Sequence, residues 1–322
     1  MFQSTLPFAW GLIGWLIAAS GRGEAAQNTF PSRPVDIVTH ASPGGGTDMT
    51  ARTMLIGARD ALGVSMAVVP KVGGGGLVAM SYVSSQPRDG YTVMGITPTH
   101  LYAIARGQGP LKIDDLVGVA RAADDPIVVM VRAESDFETL EDLLALGRRR
   151  PIKWGATQIG GVDHVAGAML AETARTQLSV VPFGGGGEIV TNLMGGIIDA
   201  AGLNLTEGLD QIRRGDFRAL AVMAEHRMEA IAEVPTTVEL GYDAQFSTVR
   251  GYVVLAGTPP ERIEALEHAL LKGLSHPAYQ TYLKGAGLDS GSVAGREVWD
   301  AQIGRMYQQA RTAMVRLGIV PN

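Results

Sequence analysis

Apolar residues follow three rhythms along this chain. The first is an unbroken run, Leu6 to Ala19, with no charged residue in it. Its 14 residues fall short of the roughly 20 that a bilayer span needs and match the apolar region of a secretory signal. Gly23 and Ala25 satisfy the small-x-small rule, so the expected signal is 1–25, cleaved after Ala25. No Lys or Arg precedes the run, and an uncleaved membrane anchor is the alternative. The mature chain is expected to begin near Ala26 and to be soluble outside the cytoplasm.

The second rhythm is short β-rich runs alternating with helical stretches, which indicates an α/β protein. Val35 to His40 is a predicted strand, and Ser42 to Asp48 turns into a helix through Met54. Val64 to Val69 is the next strand, followed by Gly73 to Gly76 and a helix from about Leu77. Arg88-Asp89-Gly90 turns into a third strand, Tyr91 to Met94. The third rhythm is helical, with Thr258 as expected N-cap and Pro259 as first helical residue. Ile263, Leu266, Leu270 and Leu274 form one stripe. Trp299, Ile303, Met306, Ala310, Ala313 and Leu317 form another, closed by Gly318. Both stripes read as core.

The strand–turn–helix order recurs. Gly45-Gly46-Thr47-Asp48 and Gly160-Gly161-Val162-Asp163 both read G-G-x-D at a predicted helix start. Val68-Val69-Pro70 ahead of Gly73 to Gly76 is echoed by Val180-Val181-Pro182 ahead of Gly184 to Gly187. Gly90 to Val93 corresponds to Gly196 to Asp199. Three matches in one order indicate two similar α/β lobes, and a length of 322 residues suits two domains.

Composition narrows the function. Glycine, at 42 residues, is about twice its usual share of roughly 7%. The net charge of −5, without a basic block, argues against nucleic acid as a partner. There is no cysteine, which excludes disulfides, thiol nucleophiles and thiolate metal sites. G-x-x-x-x-G-K-[ST], G-x-S-x-G and H-E-x-x-H are all absent, and no G-x-G-x-x-G follows the first strand.

Glycine turns at helix starts leave backbone N–H groups unpaired, and with the helix dipole these favour an anion. The alternative is a set of tight turns that need positive φ. Asp48 and Asp163 stand where each would stabilise the first turn of its helix. His40, His100 and His164 lie at or just beyond predicted strand ends; no ligand spacing marks them as a metal site. His226, His268 and His276 suggest no chemistry. Arg148 to Arg150 offset the end of a helix begun near Thr139.

The chain resembles the periplasmic substrate-binding proteins of tripartite tricarboxylate transporters. The resemblance rests on Phe30 to Pro34, Pro43 to Asp48 (PGGGTD), Asp89 to Thr92 (DGYT) and Trp154-Gly155-Ala156. It continues through Val181-Pro182-Phe183, Arg218 to Val222, Val234-Pro235-Thr236 and Gly257-Thr258-Pro259, in the family's order. It implies a type II periplasmic binding protein fold, two similar α/β lobes with a ligand cleft between them. The implied lobes are 28–124 with 248–322, and 125–247. It also implies a non-enzymatic receptor without cofactor or metal, monomeric, that delivers a small carboxylate to a membrane permease. The binding residues carried over are Gly44, Gly45, Gly46, Thr47 and Asp48; Thr97, Thr99 and His100; and Thr157, Gln158, Gly160, Gly161, Asp163 and His164. Gly184, Gly185 and Asn204 follow, with Arg250 as a counter-charge. Many members carry hydroxyl residues where this chain has Gly161, Val162 and Asp163, and often an aromatic where it has His40, so the ligand stays open. Two other readings use the same lobes: a sensor that signals the bound state to a membrane partner, and an enzyme using Asp163 and His164 as acid and base.

Overall fold

Short strands, each ending in a turn that opens a helix, build the computed structural model, which describes Met1 and residues 30–157, 159–316 and 318–321. The expected signal after Met1, Gln158, Leu317 and Asn322 lie outside the described residues. Residues Pro31–Asn322 form one compact unit.

In its first part, β1 (Val35–Thr39) leads into α1 (Gly46–Leu62), and β2 (Met66–Pro70) leads through the glycines into α2 (Leu77–Ser84). Then β3 (Thr92–Ile96) leads into α3 (Pro98–Ala105). β1 lies between β2 and β3 and is parallel to both, with Ile37 opposite Val68 and Val93. A parallel strand covered on both faces needs a nearly continuous apolar run, and VDIVT and TVMGI supply it.

The long strand β4 (Leu116–Arg132) carries the chain away, and the pattern repeats. After α4 (Leu140–Arg149) come β5 (Ile152–Ala156), α5 (Val162–Thr173), β6 (Leu178–Pro182) and α6 (Gly186–Met194). Next are β7 (Ala200–Asn204), α7 (Leu205–Arg214) and β8 (Phe217–Val222). Here β5 lies between β6 and β7, parallel to both. β9 (Ser247–Leu255) returns the chain, which ends in α8 (Pro260–Leu274), α9 (Pro277–Gly285), β10 (Ala294–Gly295) and α10 (Arg296–Arg316).

The strand order is β2-β1-β3-β9-β4-β7-β5-β6, with β8 and β10 also paired to β4. It reads alike from both ends: three parallel strands with the first in the middle, then an antiparallel strand. β9 is antiparallel to β3, and β4 to β7. β4 and β9 pair with each other from Leu116–Leu255 to Pro126–Ser247. The repeat legible in the glycines is thus a repeat of topology, and two similar α/β halves share one crossing strand pair.

Two helices differ from expectation. α1 runs beyond Met54 because Leu55, Ala58 and Leu62 continue its buried stripe, and it stops at Gly63, whose φ of 75° forms a left-handed cap. α8 starts at Pro260 instead of Pro259. A residue before proline is driven out of the helical region, so Pro259 keeps ψ 134° and becomes the N-cap. The Thr258 hydroxyl turns back to donate to the Leu255 carbonyl at 2.8 Å. The expected stripes are core: Ile263, Leu266, Leu270 and Leu274 are buried, as are Trp299, Ile303, Ala310 and Ala313. The Tyr279 hydroxyl ties α9 to β4 by donating to the Ala122 carbonyl at 2.7 Å. Among the described residues no helix is long and apolar enough to cross a membrane.

Candidate functional site

A cavity of about 230 Å³ opens where the strand ends of the two halves face each other. Carboxyl ends of strands are the usual ligand position in open α/β sheets. The first half contributes His40 after β1, Thr47 from the first turn of α1, and Thr97, Pro98, Thr99, Tyr102 and Arg106 along α3. The second half contributes Thr157, Gly160, Gly161 and Val162 between β5 and α5, and β9 contributes Thr248 and Arg250. By liquid volume it has room for roughly eight waters, so it suits a small ligand.

Behind this lining, the turns are braced by their own helices. Asp48 is buried and accepts from the Gly44 amide at 2.9 Å and from Arg52 Nε at 2.7 Å. The Arg52 bond holds its carboxyl below the usual range. His164 Nδ1 accepts from the Gly160 amide at 2.8 Å. Asp163 accepts from the Thr157 amide, and from the His164 amide at 2.9 Å. Glu188 does the same for the Gly184 amide at 2.9 Å. The Gly45 amide bonds the Ser42 carbonyl at 2.9 Å. Several loop amides expected to be unpaired are therefore occupied. The first-turn amides of Gly46, Thr47 and Asp48, and of Val162 and Asp163, have no partner among the described residues. They keep the positive ends of α1 and α5 directed at the cavity.

The histidines serve the scaffold. His100 is fully buried, and its Nδ1 accepts from the Thr97 amide at 3.1 Å to cap α3. Burial, with His40 beside it, pushes its pKa down to about 3, so it is neutral. The His40 ring stands edge-on to it, 4.4 Å between centroids. Burial and then Arg250 lower the His40 pKa too. Among the described residues no group of His, Asp or Glu is placed to hold a metal ion.

Two cations enter the cavity. Arg250 is half-buried and lies against the first turn of α1, where a Cβ on Gly46 would come within 3.2 Å of its Nη2. Among the described residues its side chain forms no hydrogen bond or ion pair. Two acids influence it: Asp125, buried and raised to about 7, and Glu207 in the first turn of α7, whose pKa is also raised. Arg106, at the end of α3, donates to Gln108 Oε1 at 3.2 Å and to the Gly160 carbonyl at 3.5 Å.

Of the residues singled out in the sequence, Thr47, Thr97, Thr99, Thr157, Gly160, Gly161 and Arg250 line one cavity. Asp48, His100, Asp163 and His164 are buried braces behind its wall. Gly44, Gly45 and Gly46 form the turn into α1, and Gly184 and Gly185 the turn into α6. Asn204 caps α7, and its amide joins the crossing strands, donating to the Asp125 carbonyl at 2.8 Å and accepting from the Thr248 hydroxyl at 2.9 Å. Arg106, Tyr102 and Thr248 were missed. Arg106 follows an apolar stretch and looks like any surface arginine in sequence. Cations, threonine hydroxyls and helix-end amides around one small cavity make a site for an anion.

A profile of the tripartite tricarboxylate transporter family receptor (TctC) matches residues 50–302. The chain is 28% identical over 276 residues to protein BugT of Bordetella pertussis, covering 83% of this chain and 84% of that one. Among solved structures, a TctC solute-binding protein from Polaromonas without ligand superposes with a TM-score of 0.84 at 27% identity. That match covers 89% of this chain and all of the other. An R. palustris protein with adipate shares the fold, with a TM-score of 0.70 at 23% identity over 90% of this chain and 98% of that one. The chain belongs to the tripartite tricarboxylate transporter receptor family, whose members are periplasmic solute-binding receptors and not enzymes.

Proposed function

We propose that this protein captures a small carboxylate in the periplasm and delivers it to the membrane permease subunits of a tripartite tricarboxylate transporter. The observation that carries the reading is Arg250, a half-buried guanidinium in a cavity of threonine hydroxyls that forms no ion pair or side-chain hydrogen bond among the described residues. Leaving such a cation unpaired costs free energy that an anionic ligand repays. The adipate in the R. palustris relative supports a carboxylate as that anion. In this reading Gly46, Thr47, Thr97, Thr99, Thr157, Gly160, Gly161 and Arg250 bind the ligand, while Asp48, His100, Asp163 and His164 hold the turns in place. Residues 28–124 with 248–322 act as one lobe and 125–247 as the other. The receptor works as a monomer whose lobes close by flexing at β4 and β9. Ligand shifts the population toward the closed form by its higher affinity for it.

Calorimetry on the protein and on Arg250→Gln, with a panel of short carboxylates and their neutral amides, tests this. A charge-assisted bond of about 1.5–3 kcal/mol corresponds to a loss of roughly ten- to a hundredfold on substitution. The amides should bind at least as weakly. Equal affinity for acid and amide would end the carboxylate reading.

A further inference from the structure

A second cavity, of about 520 Å³, lies on the other side of the strands that join the two halves. Along β4 and β9, Asp125 stands opposite Thr248 and Pro126 opposite Ser247. Opposed residues share a face and successive ones alternate, so these two pairs point to opposite faces. Thr248 lines the ligand cavity, whereas Pro126 and Ser247 line the second one. Like the first, this back groove has a wall from each half. Leu288, Val298 and Met306 come from the C-terminal region, whose helices pack on α1 and α3 of the first half. Met223, Ala224 and Met228 follow β8 in the second half.

Each wall is braced within itself. Arg121 Nη1 donates to Asp124 Oδ2 at 2.9 Å and to Gln302 Oε1 at 2.7 Å, and its Nε donates to the Ser292 carbonyl at 2.9 Å, all on the side of the C-terminal helices. On the other side Arg227 pairs with Glu239 at 2.8 Å. Among the described residues no hydrogen bond or ion pair spans the groove from wall to wall. The apolar lining is divided between the walls: Met223, Met228 and Leu288 are buried and Met306 is half-buried. Apolar surfaces attract in water without fixed geometry, so the groove can change width.

A motion about β4 and β9 that narrows one face widens the other. We infer that the back groove opposes the ligand cleft: its apolar walls meet as the cleft opens, which holds the empty receptor open until ligand draws the halves together. The inference rests on the closing motion at β4 and β9 proposed above, and not on which anion binds. Closing the cleft uncovers apolar surface of Met223, Met228, Leu288 and Met306, and the ligand's bonds must exceed that loss.

The test places a wedge in the groove and reads the cleft without ligand. Ala224 and Val298 stand one on each wall. Ala224→Arg or Val298→Arg puts a long charged side chain in the gap, which must be compressed and desolvated before the walls meet. Neither residue lines the ligand cavity, and Val298 is 51% exposed, so the fold should tolerate its replacement. Because the chain has no cysteine, Val72→Cys with Ile159→Cys places one spin label past β2 and one past β5, at exposed positions in opposite halves. Either arginine should raise the ratio of the shorter to the longer label distance by about threefold or more. Ile197→Arg, exposed but outside both cavities, should not. A shift toward the longer distance, or wedge effects no larger than that of Ile197→Arg, would overturn the inference. A single distance that no variant moves would overturn the closing motion with it. The carboxylate reading is decided apart from both, by the calorimetry above.

Discussion

Replacing Asp125 by asparagine should change stability by an amount that grows more favourable as pH rises, and the size of that change can be worked from its position. Asp125 lies on β4 opposite Thr248 of β9, only 2% exposed, with Oδ1 buried and without a partner. Burial raises its pKa from 3.8 to about 7; Glu207 and Asp124 push the same way, while Arg250 and Asn204 oppose them. An acid whose folded pKa is raised contributes fully below its unfolded pKa and loses that contribution as pH rises through the folded value. At about 1.4 kcal/mol per pH unit between the two values, ionised Asp125 costs about 4 kcal/mol above pH 7, but less than about 2 kcal/mol at pH 5. Asparagine cannot ionise. Its buried NH₂ adds a penalty of about 1–3 kcal/mol that does not depend on pH. The stability of Asp125→Asn relative to the unaltered protein should therefore improve by about 3 kcal/mol between pH 5 and pH 8. Urea unfolding of both proteins across that range measures it. A difference that stays constant with pH would refute the reasoning, whatever its absolute size.

Gly251→Ala should lower the melting temperature, since a Cβ there would overlap the Trp299 ring buried under α10; overpacking of this kind costs about 1–3 kcal/mol. Tyr279→Phe should cost about 1–2 kcal/mol in urea unfolding, because it leaves the buried Ala122 carbonyl without the bond that ties α9 to β4. Gly160→Val should weaken carboxylate binding in calorimetry far more than it lowers the melting temperature. The valine must adopt φ 77° at the cavity wall, and unchanged affinity would mean that the turn does not face the ligand.

The amino-acid sequence by itself determined the units of this fold and their order. Strand, glycine turn and helix are local, and their signals sit within about ten residues: an apolar β-rich run, a G-G-x-D turn, a buried stripe. That is why the duplication was legible from Gly45 to Asp48 and Gly160 to Asp163, and why these motifs located one wall of the cavity. Small errors, such as the start of α8 at Pro260, came from rules that compete within a few residues, here Thr258 as a cap against Pro260 acting on Pro259. Tertiary structure alone decided what each site residue does. Whether a loop amide is free depends on which side chain reaches back to it, so Asp48, His164 and Glu188 bond turn amides that composition left open. The meeting of Arg106 and Arg250 has no signal in the chain because they are 144 positions apart. Their electrostatic meaning comes from their place in one cavity and from the absence of an ion pair to either among the described residues, and burial and charge pairing belong to the folded chain as a whole.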